Sequence, residues 1–355
     1  MESLDSLQEM KESRRIAIQA YGCLTCATAL WGLNGHWVKI SLFIVSDTAF
    51  IVIRFLLAAI ICAGFAFALR RMAARHAANG RWKQEDVIAM VISGALMWAI
   101  YLPSTRAFAL GDSLLATAFL AGGALLIPVA SLMIRSTPYG ARIVKQPNRI
   151  TTSNVVGVAI AILGVYCLWD GSEFVNSAAV WGLMSAIAIA FELSFVTGAT
   201  RGMSIGQLAE WHAVAFLTCG ILAAGVYLLM PGVFSKTPAD APTWAISGYG
   251  SVLQIVLSAG LGTVAPFLLS TWATAQGQQD RPAVTAVSRA IFENIDPVSV
   301  YVAWHLFYNW IPQGQKSYSG LILLLAGLFF SELNIAARIR NVCTRTRPPI
   351  QNNEH

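Results

Sequence analysis

Apolar runs as long as a bilayer-spanning helix recur along this chain of 355 residues. A hydrocarbon core about 30 Å thick is crossed by a helix of about 20 apolar residues. Ten such runs alternate with charged or turn-forming segments. None of the intervening segments has the length of an ordinary soluble domain, about 50 to 200 residues. The pattern therefore predicts an all-α polytopic membrane protein with ten transmembrane helices.

The composition excludes a water-soluble globule, because 56% of the residues are hydrophobic and only 12% are charged. The formal net charge of +6 does not indicate a nucleic-acid partner, because the basic residues lie between the apolar runs. Nucleic-acid binding needs them clustered on one face of a folded module. The expected partners are membrane lipid and a small-molecule substrate.

The predicted spans have these approximate limits: Ile16–Val38, Thr48–Leu69, Val87–Phe108, Ser113–Ile134, Asn154–Trp169, Ala178–Thr200, Gln207–Met230, Tyr249–Ala275, Pro282–Leu306 and Ser319–Ala337. Residues 1–15 and 338–355 are the predicted terminal tails.

Basic residues predict the orientation, since short cytoplasmic loops retain Lys and Arg. With the N-terminus inside, cytoplasmic segments hold 18 of the 24 basic residues, and two more fall within spans. The external loops hold only four: Lys39, Arg106, Lys236 and Lys316. Both termini are therefore expected to be cytoplasmic, in a multi-pass protein of the plasma membrane, which in a bacterium is the inner membrane.

An internal repeat relates the two halves of the chain. Leu102 to Gly111 matches Leu268 to Gly277 at six of ten positions, at an offset of 166 residues. Pro128 matches Pro297, and a Gly-x6-Gly frame recurs at similar offsets. Because each half has five spans, the second half enters the membrane with reversed polarity. The sequence predicts two inverted five-helix repeats, 16–169 and 178–337, around a central cavity.

This pattern resembles the EamA-like family of the drug/metabolite transporter superfamily. The residues that carry the resemblance, in order, are Trp31-Gly32, Arg54, Pro128, Gly157 to Gly164, Asp296-Pro297 and Gly320 to Gly327. The resemblance implies a permease for small organic metabolites such as amino acids or related compounds, often an exporter. It implies a secondary transporter that works by alternating access.

The ninth predicted span carries a polar stripe. Thr285, Arg289, Glu293 and Asp296 fall within an arc of about 80° on a helical projection. Ionisable groups within spans normally face a cavity or a partner. Arg289, Glu293 and Asp296 are therefore predicted to line the cavity, with Glu293 or Asp296 as the proton-coupling residue. The alternative is a self-neutralising ion pair between Arg289 and Glu293.

Other polar and aromatic residues of the spans are further candidates for the substrate cavity: Trp31, Asn34, Arg54, Trp98, Tyr101, Glu192, Ser270, Thr271 and Trp272. For Arg54 the alternative is snorkelling toward the outer interface. The run Glu210 to His212 is explained by an aromatic belt near the cytoplasmic end of the seventh span.

Competing functions are less well supported. Gly202 to Gly206 fits the G-x-S-x-G pattern, but it lies in a short connection between spans rather than on a strand-to-helix turn. The chain is therefore not expected to be an enzyme. Cys23 and Cys26 lack a second ligand pair, so neither a metal nor another cofactor is expected. A channel or facilitator for small solutes, or a non-transporting membrane sensor, remains the alternative.

Overall fold

The computed structural model describes residues 2–42, 45–73, 82–110, 123–144, 152–168, 177–230, 248–278, 281–282, 284, 289, 319–320, 322–323, 326–327 and 330. The described chain is almost entirely helical. Its helices are α1 Glu2–Leu42, α2 Asp47–Ala73, α3 Gln84–Leu110, α4 Ile127–Arg135, α5 Pro138–Ile143, α6 Thr152–Leu168, α7 Ser177–Ala199, α8 Ile205–Leu229, α9 Gly248–Ala259 and α10 Ala265–Ala275.

Three shorter elements complete this part of the chain. A 3₁₀ turn, Gly123–Leu126, precedes α4. A π-helical turn, Gly260–Val264, joins α9 to α10 without a break. Strand β1, Gly277–Gln278, pairs in antiparallel fashion with β2, Arg281–Pro282. The predicted ninth span was placed from Pro282, which instead lies in this hairpin.

Within the described residues, six helices are long and apolar enough to cross a membrane, which indicates a multi-pass membrane protein. They match the predicted first, second, third, sixth, seventh and eighth spans and confirm that part of the prediction. α4 and α6 coincide with parts of the fourth and fifth spans. The ninth and tenth spans lie mostly outside the described residues.

Large apolar side chains on the bundle surface are exposed, including Ile60 at 69% and Leu229 at 83%, as expected for a lipid-facing surface.

Helix α1 is longer than the predicted first span. It is continuous from Glu2, so the predicted tail over residues 1–15 is helical from residue 2 onward. The helix continues because nothing between Glu2 and Ile16 breaks it: this stretch contains neither Pro nor Gly.

Three long helix pairs form the centre of the bundle: α2 packs against α8, α3 against α7, and α1 against the α9–α10 unit. Two glycines permit close approach. A Cβ at Gly94 would lie 2.4 Å from the carbonyl oxygen of Ala215, and one at Gly220 would lie 2.9 Å from Leu56 Cδ2. Small residues at these crossings allow the backbones of α3 and α2 to pack closely on α8.

Ion pairs mark the two ends of the bundle. At one end, the Arg70 end, the guanidinium of Arg70 donates to both carboxylate oxygens of Glu210, and Trp82 Nε1 donates to the same carboxylate at 2.6 Å. At the other, the Asp47 end, Arg106 Nη1 donates to Asp47 Oδ2 at 2.8 Å. Arg106 was counted among the basic residues of the external loops although it falls at the end of the predicted third span; it lies in α3 and is buried.

The connection between α7 and α8 has a local explanation. Gly202 adopts φ +76°, in the left-handed region that favours glycine. Ser204 then caps α8: its Oγ accepts from Gln207 N at 3.4 Å, and Gln207 Oε1 accepts from Ser204 N at 2.9 Å. This reciprocal capping box places the helix start at Ile205. The Ser204 hydroxyl therefore serves as a helix cap.

Candidate functional site

Five ring side chains meet near the middle of the described bundle, and we call them the aromatic cluster. Phe267, on α10, is the shared member. Its ring centroid lies 5.5 Å from Trp31, 6.1 Å from Tyr101, 5.6 Å from His212 and 5.5 Å from Phe216. The partners come from α1, α3 and α8. The cluster therefore joins helices from both predicted repeats.

Arg54 lies on the side of the aromatic cluster nearer the Asp47 end, two turns into α2. The residue is only 1% exposed. Its Nε donates to Thr263 Oγ1 at 2.6 Å, and its Nη2 donates to the carbonyl oxygen of Gly262 at 3.3 Å. Its Cζ lies 4.9 Å from the ring centroid of Tyr101, within the range of a cation–π contact. Snorkelling toward the interface was the alternative for Arg54, and this burial contradicts it.

The π-helical turn explains how the backbone can serve Arg54. A π-turn changes the α-helical hydrogen-bond pattern and is frequent at functional sites. Thr263 Oγ1 also donates to the carbonyl oxygen of Ser258 at 2.7 Å, and Ser258 Oγ donates to Asn34 Oδ1 at 2.8 Å. The turn thus connects α2 to α1 through polar side chains.

Three ionisable side chains, which we call the charged cluster, adjoin the aromatic cluster, and one of them, His212, belongs to both. They are Glu192 on α7, His212 on α8 and Arg289, and each is at most 1% exposed. Arg289 acts electrostatically on both Glu192 and His212. Its Cζ lies 5.8 Å from the ring centroid of Trp31. The guanidinium of Arg289 therefore lies beside the Trp31 ring of the aromatic cluster.

Several buried polar atoms in this region have no hydrogen-bond partner within the described residues. Glu192 Oε1, His212 Nδ1 and the indole Nε1 of Trp31 have no hydrogen-bond partner within the described part of the chain. The other ring nitrogen of His212, Nε2, lies 3.0 Å from Thr271 Oγ1. An unpaired buried donor or acceptor costs about 1–3 kcal/mol. A bound solute with both donors and acceptors would remove that cost.

Most of the predicted cavity residues that are described lie near one of these clusters. Trp31, Tyr101 and Thr271 contact the aromatic or charged cluster, and Asn34 and Arg54 contact the π-turn. Trp98 and Trp272 pack on the main apolar core. Ser270 donates within its own helix, to the carbonyl oxygen of Phe267 at 3.3 Å.

The remaining predictions for the site have different outcomes. Glu293 and Asp296 lie outside the described residues, so their proton-coupling role and the ion pair of Arg289 with Glu293 stay predictions. An aromatic belt was the sequence-based explanation for Trp211 and His212, and it is wrong: they are 1% and 0% exposed.

His212 is the site residue that sequence reasoning missed. It lies seven residues after the start of α8, about 10 Å along the helix axis. The sequence contains a signal for burial of His212, namely this depth and the presence of Phe216 one turn further on. In the structure the two rings stack at 5.4 Å.

No protein-family model and no curated protein matches this sequence. Among solved structures, 28 chains match it. One of them, described only as "Crystal structure of protein", has a TM-score of 0.59 at 15% identity, over 92% of this chain and 99% of that chain. At this identity the likeness shows a shared fold and nothing about activity.

Proposed function

We propose that this protein is a secondary transporter of a small organic metabolite, such as an amino acid or a related compound, and that it exports its substrate. The observation that carries the proposal is the charged cluster. The carboxylate of Glu192 and the imidazole of His212 are buried in helices that are long enough to cross a bilayer, and the buried guanidinium of Arg289 acts on both. Ionisable groups at that depth are expensive and usually mark a substrate or ion pathway.

The packing of the helices supports an inverted repeat. Under the proposed repeat, α1 corresponds to α7, α2 to α8, and α3 to the α9–α10 unit. If the two halves are exchanged, α3 becomes the α9–α10 unit and α7 becomes α1. The α3–α7 pair should therefore have a counterpart between the α9–α10 unit and α1, and both pairs occur. The α2–α8 pair exchanges with itself. This is the relationship expected of two halves related by a pseudo-two-fold axis.

The repeat and the distribution of basic residues support the rest of the architecture. We propose ten spans with both termini cytoplasmic, in the plasma membrane or, in a bacterium, the inner membrane. The resemblance to the EamA-like family supports the same arrangement.

A carrier fits the aromatic cluster better than a channel does. The rings of Trp31, Tyr101, His212, Phe216 and Phe267 pack on each other where the helices of both halves meet. A channel needs a continuous path lined by polar groups or carbonyl oxygens. In a carrier, such packing separates the two sides until the halves move.

An untargeted comparison of culture media identifies the substrate. Cells that overproduce the protein are compared with cells that lack the gene and with cells that produce Glu192→Gln. We expect one or a few metabolites to accumulate outside only with the unmodified chain. Glu85→Gln is the matched control, because Glu85 is an exposed carboxylate in the first turn of α3. Identical media from all four strains would contradict export.

A further inference from the structure

Arg54 carries a guanidinium that is almost fully buried. No acidic side chain of the described part of the chain lies against its guanidinium. The buried acid of the Asp47 end, Asp47, is engaged by Arg106, and Glu192 interacts with Arg289. A charge taken out of water is costly unless it is paired. The site therefore calls for a negative charge.

The hydrogen bonds of Arg54 leave one edge of its guanidinium unused. A guanidinium has five N–H donors arranged in a planar fork. Thr263 and Gly262 accept from Nε and Nη2. The edge formed by Nη1 and the second proton of Nη2 has no acceptor within the described residues. Two parallel N–H donors in one plane match the two oxygens of a carboxylate.

Aromatic rings surround the guanidinium of Arg54. The Cζ of Arg54 lies 5.8 Å from the ring centroid of Phe50, 5.4 Å from that of Phe55 and 4.9 Å from that of Tyr101. Ligand sites that combine apolar walls with a single charged anchor select a molecule with an apolar body and one charged group. A strongly hydrated inorganic ion fits such walls poorly.

From this arrangement we infer that Arg54 binds the carboxylate of the transported solute, which makes the substrate a small organic acid with an apolar remainder. Transport of this solute rests on the proposed function, whereas its binding is inferred from the contacts of Arg54 alone. The Tyr101 ring connects Arg54 to Phe267 and hence to the charged cluster, so the solute would bind beside the aromatic cluster.

Binding is tested with the full chain purified in detergent. The thermal unfolding midpoint is followed during titration with sodium benzoate and sodium acetate. Benzamide and acetamide serve as neutral isosteres, and sodium chloride matches the ionic strength. We expect a saturable rise of the midpoint with the carboxylates, stronger for benzoate, and none with the amides. Equal responses to benzoate and chloride would overturn the inference, as would the absence of any response to the carboxylates.

Variants locate the response. Arg54→Gln is expected to abolish it, and Arg54→Lys to weaken the apparent affinity by about tenfold or more, because an ammonium lacks the planar fork. Arg71→Gln is the matched control on the same helix, with an exposed side chain. It should respond like the unmodified chain. If Arg54→Gln does not fold, Arg54→Lys decides: an unchanged benzoate response in Arg54→Lys would overturn the assignment.

Flux separates this inference from the proposed function. Proteoliposomes containing the unmodified chain are assayed for entry of labelled benzoate. Binding that depends on Arg54 without any flux would leave the site in place and remove transport. Flux that is equally fast in Arg54→Lys and in the unmodified chain, with no Arg54-dependent binding, would support transport and overturn the binding site at Arg54.

Discussion

Arg54 Nε donates to Thr263 Oγ1 at 2.6 Å, across 209 residues of sequence. The bond joins α2 to the π-helical turn between α9 and α10, and therefore joins the two predicted repeats. Thr263 in turn donates to the carbonyl oxygen of Ser258, which lies five residues earlier. One hydroxyl thus satisfies both a buried guanidinium and the altered backbone of the turn.

Replacing Thr263 tests the importance of this hydroxyl. In Thr263→Val the Nε proton of Arg54 loses its acceptor, so we expect the free energy of unfolding to fall by about 1–3 kcal/mol or more. Thr263→Ser keeps the hydroxyl and is the matched control. Chemical denaturation in detergent measures both. Equal stability of the two variants would show that the bond contributes nothing.

Gly262 allows Asn34 to approach the π-turn. A Cβ at position 262 would lie 2.2 Å from Asn34 Oδ1 and 2.8 Å from Asn34 Cβ. Gly262→Ala is therefore expected to lower stability by about 1–3 kcal/mol through overpacking. The double variant Gly262→Ala/Asn34→Ala should regain part of that loss. Gly64→Ala, where a Cβ meets nothing within 4 Å, is the control; a loss as large at Gly64 would contradict this explanation.

The two ends of the bundle should differ in their dependence on ion pairs. Asp47 and Arg106 are both buried, so Asp47→Asn removes the negative charge from a buried ion pair and should cost about 3–5 kcal/mol. Arg70 is 53% exposed, so Glu210→Gln should cost about 1 kcal/mol or less. Unfolding midpoints at low and high salt measure both. If salt lowered the contribution of the Asp47 pair and left that of the Glu210 pair unchanged, the assignment of a buried pair to Asp47 and an exposed pair to Glu210 would be contradicted.

Sidedness tests the count of ten spans. In a background without the other cysteines, Ser13→Cys and the native Cys343 report on the two ends of the chain, and Val45→Cys reports on the loop between α1 and α2. Labelling with an impermeant maleimide in right-side-out and inverted vesicles should place positions 13 and 343 on one face and position 45 on the other. If positions 13 and 343 react on opposite faces, the span count is odd and the inverted repeat is wrong.

Helix locations were predictable because they depend on local composition. A run such as Thr48–Leu69 needs only its length and apolar character to be recognised, and α2 contains all of it. The repeat match between Leu102 and Leu268 likewise relied on identities within single helices. Arg106 shows the limit of prediction from local composition. The sequence contains its charge, but its partner Asp47 is 59 residues away and is brought to it only by the fold.

Contacts between helices were not predictable. The π-turn at Gly260–Val264 has no sequence pattern that distinguishes it from an α-helix. Its contacts with Arg54 and Asn34 come from α2 and α1, which are distant in sequence. The sequence indicates a belt for His212 because it contains the position of the residue along the helix but not the neighbours of its side chain. Its contacts with Thr271, Phe267 and Phe216 depend on the packing of α8 against α10 and define it as part of the site.

Counterflow in proteoliposomes tests the carrier most directly. The solute identified from the medium is loaded unlabelled inside the vesicles, and the entry of a trace of labelled solute is measured for the unmodified chain, Glu192→Gln and Glu85→Gln. The account predicts saturable entry that internal solute accelerates, lost in Glu192→Gln and kept in Glu85→Gln. Entry that rises linearly with concentration, ignores internal solute and is the same in all three proteins would contradict it.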